Sequence, residues 1–64
     1  GGRMKVGDYV KIRVVPSAYG LIVPTPPNGR QGVHVLITKT PAKVYVGGTY
    51  VFTKKQIEVL SESR

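Results

Sequence analysis

The sequence predicts an all-β domain, a small barrel of five or six short antiparallel strands with one 3₁₀ turn ahead of the last strand. Three observations carry this expectation. Valine, isoleucine, threonine and tyrosine crowd the chain, whereas alanine occurs only at positions 18 and 42. Apolar residues alternate in short runs, and no apolar 3.6-residue period lasts beyond one turn. Glycine or proline punctuates each run. A chain of 64 residues is too short for a two-sheet sandwich of immunoglobulin size. A closed or partly open barrel hides most strand edges and fits the length.

Val6, Gly7 and Asp8 read as a lead-in turn to a first strand over residues 9–15. There Val10, Ile12 and Val14 point one way and Lys11 and Arg13 the other, the alternation of a sheet with one face on a core. Pro16 ends this strand, because proline donates nothing to a ladder. A second strand is expected over residues 19–23, with Gly20 permitting a bend or a close backbone approach. Residues 24–32 form the longest irregular stretch. Pro24, Pro26 and Pro27 stiffen its first half, and Asn28-Gly29 supplies a turn with positive φ. The third strand, residues 33–38, has Val33, Val35 and Ile37 on one face and His34, Leu36 and Thr38 on the other. Both faces are partly apolar, so this strand is expected at the centre of the sheet or against a partner. Residues 43–46 and 49–52 read as a hairpin closed by Gly47-Gly48. That register puts Lys43, Tyr45, Tyr50 and Phe52 on one face and Val44, Val46, Thr49 and Val51 on the other. Residues 53–56 fit a single 3₁₀ turn and residues 57–60 a last short strand.

Gly1-Gly2-Arg3 ahead of Met4 reads as the remnant of an expression tag. The barrel is then expected over residues 4–61, with 62–64 a frayed tail. A domain of this size buries only about 60% of its unfolded surface, so its stability is marginal. The chain has no cysteine, so no disulfide staples it and nothing marks an oxidising compartment. No stretch approaches the roughly 18 apolar residues of a membrane span, and no signal-peptide run opens the chain. A soluble, cytoplasmic protein is the expectation.

Ten Lys and Arg stand against three acids, a formal charge of +7, or +6 without Arg3. Such a charge attracts polyanions through counterion release, although small proteins also carry net charge for solubility. The catalytic inventory is poor: one histidine, His34, one aspartate, Asp8, and two glutamates, Glu58 and Glu62. Acid–base or nucleophilic catalysis needs a base within hydrogen-bond reach of its partner in a cleft. A barrel filled by its own side chains leaves little cleft. His34 is therefore read as a surface or interface residue and Asp8 as a turn residue. No catalytic residue, metal site, cofactor or small-molecule substrate is expected, and Gly47-Gly48 fits a hairpin better than a phosphate cradle.

The constellation that remains is Tyr45, Tyr50 and Phe52 with Lys43, joined by Lys11 and Arg13 if their strand is adjacent. Aromatic rings interleaved with cations suit single-stranded nucleic acid, with bases stacking on rings and phosphates meeting cations. Cross-strand aromatic pairs also stabilise a hairpin, and tyrosine is enriched at protein interfaces. Arg30 and Gln31 lie in the long loop, where they reach a partner or simply face solvent.

The opening Met4-Lys5-Val6-Gly7-Asp8-Tyr9-Val10-Lys11-Ile12 resembles the first strand of small SH3-like barrels, including KOW-type domains. Tyr19-Gly20-Leu21-Ile22-Val23 is similar to their second strand, and Lys55-Gln56-Ile57-Glu58-Val59-Leu60 to their final strand, which follows a 3₁₀ turn. Short basic proteins with this opening are frequent among tailed phages, cyanophages especially. The resemblance implies an SH3-like barrel far more than any one function. KOW domains bind RNA or transcription machinery. The photosystem I reaction-centre subunit IV and the ferredoxin–thioredoxin reductase variable chain, of similar size and opening strand, are docking or structural subunits. Type II plasmid dihydrofolate reductases carry a valine-glutamine-isoleucine-tyrosine strand at a tetrameric pore. Lys43-Val44-Tyr45-Val46 stands in the comparable region here, so that activity is not expected. The leading expectation is a non-catalytic module that binds nucleic acid weakly and without sequence preference. The alternative is a protein-docking or homo-oligomeric subunit.

Overall fold

The computed structural model describes residues 4–63; the expected tag remnant, residues 1–3, and Arg64 lie outside them. Five strands form one antiparallel sheet: β1 (Tyr9–Ile12), β2 (Ala18–Val23), β3 (Val33–Lys39), β4 (Thr49–Phe52) and β5 (Ile57–Ser61). Their order is β4-β3-β2-β1-β5. The last strand thus returns beside the first, and β4 and β5 are the two edges. No ladder joins those edges, so the sheet curls without closing. A 3₁₀ turn (Lys43–Tyr45) precedes β4 and a second (Lys54–Gln56) precedes β5. No helix among the described residues is long and apolar enough to cross a membrane.

The alternation read from the sequence builds the core. Val10, Ile12, Ala18, Ile22, Val35, Ile37 and Ile57 are buried together, with Met4, Val33, Phe52 and Val59 packed at their margin. Gly20 lies opposite Val10 on β1 and Ile37 on β3, where a side chain would project into Val35 and the backbone carbonyl of Leu36. The close approach expected at Gly20 is therefore real. The ladder shifts register between Tyr19 and Gly20, and again between Tyr9 and Val10 against β5. Such bulges increase the local twist that bends a sheet around its core.

Three local expectations are corrected. β1 stops at Ile12, because Ile12 pairs with Ala18 and residues 13–17 make the reversal, with Ser17 at φ 57°. Val14, expected beside Ile12 in the core, is 58% exposed. In the long loop the Gly29 N–H donates to the Pro26 carbonyl at 2.9 Å. That turn needs no positive φ at Asn28 or Gly29; the left-handed residue is Gly32, at 135°.

The largest difference concerns residues 43–46, which are not a strand. β4 pairs with β3 instead, with Val35 opposite Tyr50 and Val33 opposite Phe52. The Gly47 N–H donates to the Ile37 carbonyl at 2.8 Å and the Ile37 N–H to the Gly48 carbonyl at 3.0 Å, which carries the pairing one residue further along β3. The physical reason is burial. A hairpin of residues 43–46 and 49–52 is a two-stranded ribbon with no core of its own. Pairing β4 with β3 sets Tyr50 and Phe52 beside Val35 and Val33 on the core face.

The second 3₁₀ turn forms as its sequence predicts. Thr53 donates its N–H to Gln56 Oε1 at 2.9 Å, and the Gln56 N–H returns to the Thr53 carbonyl at 3.0 Å. Both otherwise unpaired groups are thereby satisfied. Ile57 follows at once and is 1% exposed, which pins β5 to the core.

Candidate functional site

The six residues grouped from the sequence divide between two faces. Tyr50 and Phe52 lie on the core face of β4, and Tyr45 reaches them from the first 3₁₀ turn. The Tyr45 and Tyr50 rings meet edge to face, with centroids 5.8 Å apart. These three side chains, with Val15, Arg30 and Thr40, line a largely apolar groove of about 600 Å³ whose floor includes Ile12, Ala18 and Ile37. Lys43 is exposed on its 3₁₀ turn and is not among the residues lining this groove. Gln31 is exposed as well and does not line it.

Lys11 and Arg13 are elsewhere. Lys11 alternates with buried Val10 and Ile12, so it projects from the outer face, opposite Tyr19 on β2 and Glu58 on β5. Arg13 donates from Nε to the Ile57 carbonyl at 3.3 Å, and its Nη1 lies 3.8 Å from Glu58 Oε1. Both partners of that ion pair are about half exposed, so it contributes little to stability. The single aromatic–basic surface expected from the sequence is therefore corrected. The hairpin that assembled it does not form, and β1, with Lys11 on it and Arg13 just beyond it, is separated from β4 by β2 and β3.

The structure assembles a different cluster on the outer face. Tyr9 and Tyr19 stack with ring centroids 6.0 Å apart and planes within 7° of parallel. Lys39 Nζ stands 5.8 Å from the Tyr19 centroid, a cation–π contact, and Lys11 is the cross-strand neighbour of Tyr19. Both rings are half-buried, so each is positioned yet reachable. Sequence reasoning passed over Tyr9 and Tyr19. The signal was present in the outward positions of two strands joined by a short reversal, where Tyr9 and Lys11 face Leu21 and Tyr19.

His34, read as a surface or interface residue, is buried within the fold itself at 5% exposure. Its Nε2 donates to the Arg30 carbonyl at 2.7 Å. A carbonyl only accepts, so Nε2 carries the proton of this bond. This hydrogen bond ties the loop backbone at Arg30 to β3. Among the described residues no three His, Cys, Asp or Glu gather in a way that could hold a metal ion.

Asp8 does hold the turn, since the Lys5 N–H donates to Oδ2 at 3.0 Å, but it also ties the far end of the chain. The Ser63 N–H donates to Oδ1 at 2.7 Å, and Lys5 Nζ lies 3.9 Å away. Residue 63, two beyond the end of β5, is thereby held to the body of the fold. The Ser63 N–H is the chief cause that lowers the Asp8 pKa below its ordinary 3.8, against the opposing effect of burial, and the Lys5 N–H and ammonium add to it. A carboxyl depressed in the folded state contributes its stability fully above the unfolded value and loses it as pH falls through the folded one. Acidification below about 3.8 is expected to destabilise the domain, and Asp8→Asn to be less stable at neutral pH with a flatter acid limb. Thermal melts across that range check this; parallel curves for parent and variant would show that Asp8 is not the linked group.

No protein-family model, no curated protein and no solved structure matches this chain.

Proposed function

We propose that this chain is an SH3-like, non-catalytic binding module whose outer sheet face binds single-stranded nucleic acid weakly and with little sequence preference. The observation that carries the proposal is the Tyr9–Tyr19 stack flanked by Lys39 and Lys11. Every base has a π-face, so a ring platform gains stacking energy from any sequence. Lysines beside it meet phosphates as point charges. The formal charge of +7 supplies the long-range attraction. The SH3-like part of the reading draws support from the resemblance of the opening strand, from the 3₁₀ turn before β5, and from the pairing of β5 with β1. The poor catalytic inventory supports the non-catalytic part. Asp8 is committed to backbone donors and His34 to the Arg30 carbonyl.

The test is a fluorescence anisotropy titration of labelled oligothymidylate and oligouridylate. Two phosphate contacts, by Lys11 and Lys39, give a single-strand salt slope of about −1.4, or about sevenfold weaker binding between about 50 and about 200 mM salt. Tyr19→Ala is expected to cost about 1–3 kcal/mol of binding, and Lys39→Gln to shallow the salt slope by about 0.7. Circular dichroism establishes that each variant folds. Absence of binding at low salt overturns the proposal, as does binding that neither folded variant alters.

A further inference from the structure

The groove on the core face is independent of the tyrosine stack, and its chemistry is different. It is bordered by Tyr45, Tyr50, Phe52 and Val15 and has Arg30 at its rim. Tyr45 and Val15 remain 50% and 40% exposed, so part of the groove wall is open to solvent. No carboxylate lines it. Among the described residues Arg30 makes no ion pair, whereas Arg13 and Lys5 each do. The Arg30 backbone is tethered by the buried His34 ring, which roots this side chain beside the groove. Beside the groove runs β4, an edge strand paired only on its β3 side.

We propose that this groove binds an extended acidic peptide segment with apolar side chains at alternate positions, added along the free edge of β4. The unpaired edge of β4 supplies main-chain hydrogen bonds to such a segment, and a strand laid there turns every second side chain toward the core face. That face is the apolar groove. The peptide carboxylates are drawn by the positive field of the whole chain, to which Arg30 at the rim contributes. A second copy of this chain is a poor occupant. Each copy carries +7. Of the three side-chain carboxylates described, Asp8 is buried and Glu58 is paired with Arg13, which leaves Glu62 alone to meet Arg30.

The experiment is an amide NMR titration of the ¹⁵N-labelled chain with the synthetic peptide acetyl-Glu-Val-Glu-Phe-Glu-Val-amide. A second peptide with lysine in place of each glutamate serves as the control. The expected result is shifts at Arg30, Tyr45 and residues 49–52, with little change at Tyr9 and Tyr19, and no comparable binding of the lysine peptide. Arg30→Gln is expected to weaken the acidic peptide about tenfold, the scale of one hydrogen bond to a charged group. Tyr45→Ser, at an exposed position, is expected to weaken it without unfolding the domain. Four results overturn the proposal: no shifts at millimolar peptide, shifts confined to the outer face, equal binding of the lysine peptide, or indifference to Arg30→Gln. Sedimentation that shows self-association abolished by Tyr45→Ser also overturns it, because a second copy then fills the groove.

Discussion

Gly20→Val yields a chain that does not fold, and Gly20→Ala one that has lost about 1–3 kcal/mol of stability. Gly20 does not adopt a positive φ, so the argument is one of space alone. It sits in the middle of β2, flanked by β1 and β3, and its missing side chain would point at the core. An added Cβ meets Val35 Cγ1 at 2.6 Å and also the Leu36 carbonyl oxygen. The valine methyl can rotate away; the carbonyl belongs to the adjacent strand and cannot move without opening the β2–β3 ladder. The entropy that alanine removes from the unfolded chain, worth about 0.4–1 kcal/mol at an unstrained site, does not offset this. A single core of this size rarely supplies more than about 3–5 kcal/mol in total, so the larger valine exhausts it. Urea unfolding followed by circular dichroism reads both variants. A Gly20→Ala midpoint equal to or above that of the parent would show that the two strands do not approach closely there.

Ile12→Ala is the second large effect, expected at about 2–5 kcal/mol, against about 0.5–1.5 for Ile12→Val. Ile12 is fully buried, and its Cα partners are Ala18 on β2 and Ile57 on β5. It therefore joins the β1–β2 hairpin to the returning strand, and removing its branches leaves a void at that junction. Val14→Ala, two residues on, is expected to change stability by no more than about 0.5 kcal/mol, because that side chain is in solvent. The pair tests where β1 ends. Similar losses at the two positions would mean that the strand runs on to residue 15, as alternation alone suggests.

The fold was legible wherever alternation and core burial agree. Val10 and Ile12 against Lys11, and the apolar run of β3 with both faces partly covered, place those strands correctly and put β3 inside the sheet. Thr53 and Gln56 mark their own turn. Residues 43–46 misled because Val44, Tyr45 and Val46 carry strand propensity, while the competition for a partner is decided at long range. β4 has one neighbour to gain, and β3 offers it the core. The site was less legible for the same reason. Tyr45, Tyr50 and Phe52 do converge, but through a 3₁₀ turn rather than a hairpin, and Lys11 and Arg13 fall on the far side of the sheet. The Tyr9–Tyr19 stack depends on the register that the short reversal at residues 13–17 imposes. The role of His34 depends on a loop folding back four residues in sequence, which no periodicity encodes.

The carboxylate of Asp8 brings Lys5 and Ser63 to one corner of the molecule. The order of strands along the chain is then one cut through a nearly circular arrangement. Joining the two ends at that corner and opening the loop of residues 24–32 would preserve all four ladders, since none of them runs through that loop. Such a permuted chain would begin at β3 and end at β2. The pairing of β1 with β5, now among the most distant in sequence, would become a local hairpin. The slowest closure in the present connectivity would become one of the quickest, because loop-closure entropy grows with the length of chain enclosed.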